Sequence, residues 1–442
     1  MTPEQFNKYL NLYKNGILGD DLKDIIQTDA IDIWLRAGGV GIIEAVTGFG
    51  KSHLCKSLFK RYRTRYNDNI EIVVPTDPLY DDFKRDTSHL ENCKVSIINT
   101  YVKSNHECGL LVVDEVHKIA NRSSKFFKSV IPNTQYKYCL GLTATLNDHQ
   151  KDYLESIGVK VVFTVTRSEA NQLGLLPEHD IFNYGVELTT KEQINYEKAH
   201  KMFNSSFEIF KVASEHNAFQ VAMACCQKID EQVKIGDKYR LVEDVINIVA
   251  KKNGYDFKDV RDTAFVWKAS MQKLGNITDN AHNKLEAVYE ILAKYQNDKA
   301  LVFSQSIEHC ETIATKVYNA RAYHSKSKNK KKLLEAFILG AFTRLIVVEA
   351  IDMGFNDKNI TLAINVKFDS EFGQMLQRIG RAIRLNTENP DKYVRFFNLY
   401  CKPFTAYTDD NEEYTINPND YNKLRNLSYN EPYVWIDELN ET

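Results

Sequence analysis

Short apolar runs alternate with helical stretches along residues 40–165, and few folds accommodate such an alternation. The runs are rich in Val, Ile and Leu and lack the apolar–polar period of a strand with one solvated face. We therefore expect a parallel sheet covered by helices on both faces, and a second one after residue 283, where the pattern returns. The runs are Val40–Ile43, Ile70–Val74, Val95–Ile98, Leu110–Val113, Tyr138–Leu142, Val159–Val165, Ala300–Phe303, Leu345–Val348, Thr361–Ile364 and Val394–Phe397.

A helical pattern replaces these runs between about residues 190 and 280. Apolar and aromatic residues recur there at three- and four-residue steps, which predicts an amphipathic stripe. The segment contains no proline and is too long for a linker, so we expect a helical domain inserted between two α/β domains. We interpret the stripe as core packing rather than as a cofactor site. Its members are Tyr196, Ala199, Phe203, Phe207, Phe210 and Ala213.

Length and charge limit the function classes. A chain of 442 residues usually forms two or three domains. Its 57 Lys and Arg against 59 Asp and Glu give a formal net charge of -2, which argues against a protein that coats DNA with a cationic surface. The N-terminal residues lack the basic and apolar regions of a signal peptide, and no apolar run approaches the roughly 18 residues of a membrane span. We therefore expect a cytosolic protein that binds no membrane.

The segment Ala45–Ser52 has the pattern of a phosphate-binding loop, except that Ala45 replaces the first glycine. It follows a strand-like run and opens a helical stretch, as such a loop requires. Glycines let backbone N–H groups curl around phosphate oxygens, and the helix N-terminus adds its positive end. We expect the lysine to reach the β- and γ-phosphates of ATP and the serine to hold Mg²⁺. The nucleotide-binding candidates are Thr47, Gly48, Gly50, Lys51 and Ser52.

Two adjacent carboxylates follow the apolar run Leu110–Val113. In phosphate-loop enzymes, an aspartate at the end of such a strand holds Mg²⁺, and a following glutamate can orient and deprotonate the attacking water. We therefore assign Asp114 to the metal and to catalysis and Glu115 to catalysis, with His117 beside them. A glutamate in this role favours hydrolysis of ATP over transfer of its phosphate to an acceptor.

The ordered series of motifs resembles that of the superfamily 2 DExH-box helicases over roughly residues 20–400. This resemblance implies an α/β fold with two RecA-like parallel-sheet domains in tandem and an inserted helical accessory domain. It also implies ATP and Mg²⁺ as cofactors. The segments that carry it, in family order, are Gln27, Val73–Thr76, Asn99–Tyr101, Asp114–His117, Gly141–Leu146, Leu301–Ser304, Tyr323–Ser325, Val347–Asn356 and Gln377–Arg384.

Two of these segments imply further contacts to the nucleotide. Gln27 stands 24 residues before Lys51, where the family places a glutamine that contacts adenine. By the same resemblance, Gly354 in the segment Val347–Asn356 belongs to the nucleotide site. That segment usually carries a threonine that contacts the nucleic-acid backbone, but residues 345–357 contain none. The residue that contacts the strand at this point therefore stays open.

The segment Gln377–Arg384 matches the Q-x-x-G-R-x-x-R motif of the family in full. Its two arginines, Arg381 and Arg384, lie about 330 residues after the phosphate loop, in the second predicted α/β domain. Guanidinium groups delivered across a cleft stabilise charge on the transferring phosphate, a contribution of about a thousandfold or more to the rate. We assign both arginines and Gln377 to catalysis, and expect the two domains to close around ATP.

Nucleic-acid contacts are expected at several of the family motifs and at one basic stretch. Residues 321–332 contain six Lys and Arg and no acidic residue. Contacts of such a stretch to phosphates would be independent of sequence and sensitive to salt. A second basic stretch, residues 51–65, is better interpreted as a solvated helix face. The candidate nucleic-acid contacts are Pro75, Thr76, Thr100, Ser304, His324, Lys326, Lys328 and Lys330.

Two segments resemble the DNA-directed group of the superfamily, Asp114–His117 and Leu173–Pro177. That group includes phage fork-remodelling and branch-migration helicases, and the chain is similar to the DNA helicases of T5-like bacteriophages. The resemblance implies a monomeric, ATP-dependent DNA helicase or translocase of the host cytosol. It would act on single-stranded or branched DNA in replication, recombination or repair, with proteins of those processes as candidate partners.

Five domains and segments are expected. The N-terminal segment covers residues 1–35 and includes the adenine-contacting glutamine. A first RecA-like domain covers residues 36–188, the helical insertion 189–282, the second RecA-like domain 283–405 and a C-terminal tail 406–442.

Three other functions are compatible with parts of this pattern. The first two are an RNA helicase and the motor subunit of a restriction nuclease, although no carboxylate cluster with a nearby lysine suggests a nuclease. The third is a non-catalytic nucleic-acid-binding scaffold on an inactive ATPase fold. Lys51, Glu115 and both arginines of the segment Gln377–Arg384 are intact, which favours an active enzyme.

Overall fold

The computed structural model describes most of the chain, and its contacts divide it into two compact units. Unit 1 comprises residues 1–181, 295–364 and 369–396, and unit 2 comprises residues 182–294, 365–368 and 397–442. The described residues are 1–66, 69–75, 77–120, 127–236, 238–348, 357–367, 380, 386, 389, 391–408, 410–428 and 433–442.

The first sheet has six strands in the order β3-β2-β4-β5-β1-β6. All pairings between neighbouring strands of this sheet are parallel, for example Ile42 with Gly141. Both faces are covered, since Leu110–Val113 are at most 1% exposed. The parallel α/β sheet predicted for the first half of the chain is therefore confirmed. The strands are β1 (Val40–Ala45), β2 (Ile70–Val74), β3 (Cys93–Ile97), β4 (His106–Asp114), β5 (Thr134–Thr143) and β6 (Val161–Val165).

Helices flank this sheet. The second helix along the chain, Gly19–Arg36, contacts the phosphate loop. Its residues Leu22, Ile26, Ala30 and Trp34 recur every four residues and are fully buried, so this face packs into the core. Trp34 Nε1 donates to the carbonyl of Cys139 in β5 at 3.1 Å. The helices are α1 (Pro3–Lys14), α2 (Gly19–Arg36), α3 (Lys51–Tyr66), α4 (Asp77–Asp86), α5 (Ile98–Tyr101), α6 (Asp148–Ser156) and α7 (Arg167–Gln172).

The second sheet has seven strands in the order β11-β12-β10-β13-β14-β7-β17. Strand β12 pairs in parallel with both β10 and β11, and β17 pairs in parallel with β7. This sheet confirms the second RecA-like α/β element of the predicted fold class. Its strands are β7 (Glu178–Val186), β10 (Ala300–Ser304), β11 (Ala320–Tyr323), β12 (Arg344–Val348), β13 (Leu362–Asn365), β14 (Tyr393–Cys401) and β17 (Val434–Ile436). The helices α13 (Ile307–Lys316) and α14 (Lys330–Ile338) connect β10, β11 and β12.

A helical block lies in unit 2 and contains one β-hairpin. Trp267 is fully buried at its centre, with ring centroids of Phe203, Phe207 and Phe210 at 5.9, 5.6 and 6.3 Å. This arrangement confirms that the aromatic stripe is core packing. The helices are α8 (Thr190–Ala213), α9 (Ala218–Cys225), α10 (Val242–Asn253), α11 (Phe257–Asp279) and α12 (His282–Lys294), and the hairpin strands are β8 (Gln232–Ile235) and β9 (Lys238–Leu241).

The C-terminal elements pack into the same unit as the helical block. They are the antiparallel strands β15 (Phe404–Tyr407) and β16 (Glu413–Ile416), the helix α15 (Asn419–Ser428) and β17. A buried ion pair connects them to α12, since Lys284 Nζ lies 2.7 Å from Asp420 Oδ2 and both side chains are at most 3% exposed. The Asp420 carboxylate also accepts the backbone N–H of Cys401 at 3.0 Å.

Candidate nucleotide site and nucleic-acid contacts

The phosphate loop lies between the end of β1 and the start of α3. Gly48 and Gly50 have φ angles of 89° and 90°, in the region of backbone conformation that glycine tolerates and other residues avoid. Ala45, which stands where the motif has its first glycine, is the last residue of β1 and pairs with Val165 in the sheet. An ordinary strand conformation needs no glycine, so this departure leaves the curl of the loop intact.

Two side chains of α2 bind the backbone of this loop. Gln27, which is 2% exposed, donates its Nε2 to the carbonyl oxygens of Phe49 at 2.8 Å and Gly50 at 3.3 Å. Lys23, one helical turn earlier, donates to the carbonyl of Gly48 at 3.3 Å. The contact of Lys23 was missed at the sequence level, although its position four residues before Gln27 places both on one helix face. In this geometry the amide of Gln27 braces the loop.

The two acidic residues stand at the end of β4, as their sequence predicts. Glu115 has a φ of 51°, a left-handed conformation that is uncommon for a residue with a side chain and typical of functional sites. Burial raises the pKa of Asp114, and the charge of Glu115 raises it further, against the opposing effect of Lys51. Burial also acts to raise the pKa of Glu115, but Lys51 and His117 outweigh it and hold this pKa below its usual range. Glu115 is therefore ionised at neutral pH.

His117 connects the acidic pair to the end of β5. Its Nδ1 lies 3.2 Å from Glu115 Oε2 and 3.0 Å from Thr143 Oγ1. The Thr143 hydroxyl also lies 3.2 Å from the carbonyl of Thr145, within the segment Gly141–Leu146. The Nδ1 atom of His117 thus lies between Glu115, the candidate water-activating carboxylate, and Thr143 of the segment Gly141–Leu146.

Gly380, in the segment Gln377–Arg384, contacts the phosphate loop. A Cβ atom built on Gly380 would overlap both Oγ1 and Cβ of Thr47, so the Gly380 backbone lies too close to the Thr47 side chain to leave room for a side chain of its own. Both residues belong to unit 1. The contact places Gly380 beside the candidate nucleotide site. Gly354, Gln377, Arg381 and Arg384 lie outside the described residues.

The predicted nucleic-acid contacts differ in their exposure. Thr100 in α5 is exposed and Pro75 after β2 is half-buried, whereas Thr76 lies outside the described residues. Ser304 is 4% exposed, and its hydroxyl oxygen has no hydrogen-bond partner in the described part of the chain. His324 is 5% exposed, with Nε2 at 2.6 Å from Glu311 Oε1. The last two side chains are therefore buried in this geometry.

The lysines of the basic stretch after β11 are all exposed. Lys326, Lys328 and Lys330 are exposed, as are the two lysines that follow in α14. Within the described ranges these five lysines form no ion pair, so their charges face solvent uncompensated. Such a surface suits phosphate contacts that do not depend on sequence.

Clustered metal ligands and membrane-spanning helices are both absent from the described ranges. Within them, no group of three or more His, Cys, Asp or Glu side chains is arranged to hold a metal ion. None of the helices there is both long and apolar enough to cross a membrane.

A family model and a curated relative resemble the chain in sequence. Residues 283–386 match the family model described as the helicase conserved C-terminal domain. The chain is also similar to the DNA 3'-5' translocase XPB2 of Sulfurisphaera tokodaii, with 24% identity over 411 residues that cover 88% of this chain and 83% of that protein. The chain is thus similar to helicases over residues 283–386 and to a DNA translocase over most of its length.

A solved structure provides a further comparison. The crystal structure of the Pyrococcus furiosus Hef helicase domain is 14% identical to the chain and has a TM-score of 0.43. The alignment covers 86% of this chain and 96% of that one.

Proposed function

We propose that the chain is an ATP-dependent DNA helicase or translocase. The observation that carries this proposal is the close approach of Gly380 to the side chain of Thr47. Gly380 belongs to the segment Gln377–Arg384, which the family resemblance assigns to the nucleotide. On the other side of the same site, Lys51 is close enough to lower the pKa of both acidic residues that end β4. A nucleoside triphosphate bound at the loop would lie between the acidic pair that ends β4 and Gly380.

The residues of this site have distinct tasks in hydrolysis. The N–H groups of the phosphate loop and the Lys51 ammonium would bind the phosphates of ATP, while Gln27 and Lys23 hold the loop in shape. Glu115 is ionised and can orient a water molecule and accept its proton. Arg381 and Arg384, which follow Gly380 in the chain, would stabilise the charge on the transferring phosphate.

The buried carboxyl of Asp114 fits the role of a magnesium ligand. Its side chain is 8% exposed, and burial disfavours its charged form, so a nearby cation would stabilise the carboxylate. Ser52, the second residue of α3, would supply a hydroxyl oxygen, the kind of ligand that Mg²⁺ prefers. When bound, Mg²⁺ neutralises charge on the phosphate oxygens.

DNA is the proposed track, preferably at branched structures such as forks and junctions. The similarity to a protein named as a DNA translocase supports DNA over RNA. Support for branched DNA, and for a role in phage replication, recombination or repair, comes from the resemblance of Asp114–His117 and Leu173–Pro177 to the DNA-directed group. The exposed lysines 326, 328 and 330 are the proposed phosphate contacts of the second RecA-like domain.

The test compares ATP turnover with different nucleic acids. Single-stranded DNA, forked DNA, a four-way junction and RNA are added separately, and phosphate release is measured at equal nucleotide concentration. We expect stimulation by DNA, with the branched forms strongest. Stimulation by RNA alone would support the RNA helicase instead, and no stimulation by any DNA would refute the proposal.

Two variants locate the chemistry. Lys51→Ala is expected to abolish ATP turnover, because it removes the ammonium that would bind the phosphates. Arg384→Ala is expected to spare ATP binding and lower turnover, since its charge acts on the transferring phosphate. Equal loss of binding and turnover in Arg384→Ala would contradict this role. Lys268→Ala in α11, far along the chain in the helical block, serves as the charge-matched control.

A further inference from the structure

An open groove lies between the hairpin β8–β9 and the helix α10. Its volume is about 630 Å³. Three apolar or aromatic side chains line it and are unusually exposed: Tyr239 at 49%, Leu241 at 40% and Ile248 at 36%. The side chain of Lys234, directly across the hairpin from Tyr239, places its ammonium 6.0 Å from the centre of the tyrosine ring. The groove therefore presents an aromatic face beside a cation.

The polar side chains of the groove are amides and cations. Gln232 and Asn247 contribute the amides, and Arg240 and Lys251 contribute positive charges against the single carboxylate of Asp244. In the part of the chain that the structure describes, neither Arg240 nor Lys251 forms an ion pair. Amides can read the edges of bases, and unpaired cations can bind phosphates.

The groove is held in place by the helical block. Val233 is 8% exposed and belongs to the core of the block, and Ile235 packs against that core. At the turn of the hairpin, the backbone N–H of Gly236 donates to the Oε1 of Gln220 in α9 at 2.7 Å. The hairpin is anchored both at one face and at its turn. The exposed position of Tyr239 is therefore fixed by the fold. A preformed surface loses little entropy on binding.

We infer that this groove is an accessory binding site for single-stranded DNA. Tyr239 would stack on an unpaired base, and Arg240 and Lys251 would bind the phosphates on either side of it. A half-exposed aromatic ring beside excess positive charge is the combination by which proteins hold unpaired strands without strong sequence preference. A duplex would not serve, since its bases are already stacked. The site uses the DNA track of the proposed function but not its ATPase.

The test measures the affinity of the full chain for a fluorescein-labelled, mixed-sequence oligodeoxynucleotide by fluorescence anisotropy, without ATP. Tyr239→Ala is expected to weaken binding at least about fivefold, the factor that corresponds to roughly 1 kcal/mol of base stacking. Tyr239→Phe keeps the ring and is expected to bind within about twofold of the unchanged protein. The double variant Arg240→Ala, Lys251→Ala is expected to lower the dependence of log affinity on log salt by about 1.4, or about 0.7 for each phosphate that is no longer neutralised.

A matched control is available on the same block. Tyr255 is 50% exposed, close to the 49% of Tyr239, and Lys258 is exposed, but neither lines the groove. The double variant Tyr255→Ala, Lys258→Ala is expected to leave both affinity and salt dependence unchanged. A photocrosslink between an oligonucleotide carrying 5-iododeoxyuridine and Tyr239, located by mass spectrometry, would add direct support.

Each contrary result has a separate meaning. If the unchanged protein binds single-stranded DNA but the groove variants bind equally well and no crosslink forms, the inference is refuted while the proposed function stands. If Tyr239→Ala weakens binding of an oligoribonucleotide but not of DNA, the assignment to DNA is wrong. If the unchanged protein binds no DNA, both this inference and the proposed function fail.

Discussion

The contact of Gln27 with the phosphate loop leads to a prediction that separates two roles for this glutamine. Gln27→Ala removes a buried donor from the carbonyl of Phe49, at 2.8 Å, and a weaker one from Gly50, at 3.3 Å. A buried carbonyl left without its donor costs roughly 1–3 kcal/mol. If the whole cost appeared in nucleotide binding, the affinity for the nucleotide would fall by about fivefold to more than a hundredfold. Because the loop can relax, we expect a fall of about tenfold.

A comparison of ATP with GTP distinguishes the two roles of Gln27, bracing the phosphate loop and contacting adenine. If Gln27 braces the loop, KM for ATP and KM for GTP rise together, because both nucleotides use the same phosphate contacts. Gln27→Glu keeps the size of the side chain and removes the donor, so it should be at least as impaired as Gln27→Ala. Gln172→Ala, an exposed glutamine of α7, is the control. A rise confined to ATP, with GTP unchanged, would refute the bracing role and support the adenine contact that the family resemblance implies.

Three further predictions concern the carboxylates, their neighbour and the C-terminal ion pair. Glu115→Gln should slow ATP hydrolysis by about a hundredfold or more, with binding of a fluorescent ATP analogue retained, because the amide cannot accept a proton. By resemblance, the segment Gly141–Leu146 couples hydrolysis to movement along the strand. Thr143→Val keeps the shape of the side chain but removes the hydroxyl that lies 3.0 Å from His117 Nδ1, and should lower strand displacement per ATP hydrolysed more than hydrolysis itself. Asp420→Ala removes the carboxylate that pairs with the buried ammonium of Lys284. We expect the free energy of unfolding in urea to fall by roughly 3–5 kcal/mol. A second change, Lys284→Met, should partly restore it.

The six strands of the first sheet and four of the seven in the second were predicted, because burial on two faces produces uninterrupted apolar runs. The strands β7, β11 and β17 were missed. Leu110–Val113 form an uninterrupted apolar run, and all four side chains are buried in the structure. The hairpin in the helical block has no such apolar run in its sequence. Its strands are four residues each, and every residue of β9 is exposed, so neither an apolar run nor a regular alternation is present. Its register depends on the core beneath it, where Val233 packs.

The candidate nucleotide site was predictable where its residues are neighbours in sequence. The phosphate loop and the acidic pair depend on local spacing, and the structure places them at the ends of β1 and β4. Contacts between distant segments could not be predicted in the same way. Gln27 donating to Phe49, Gly380 lying against Thr47, and His324 bonding Glu311 all depend on packing between separate elements.

Strand β17 imposes an order on the synthesis and folding of the chain. Val434 pairs with Phe182, 252 residues earlier, so the edge of β7 has no strand beside it until the last part of the chain has been made. At a synthesis rate of roughly 5–20 residues per second, that interval is about 13–50 s. The six-stranded sheet, complete by Val165, can form during this time, whereas β7 presents an unpaired strand edge, the kind of surface on which chaperones and premature aggregation act.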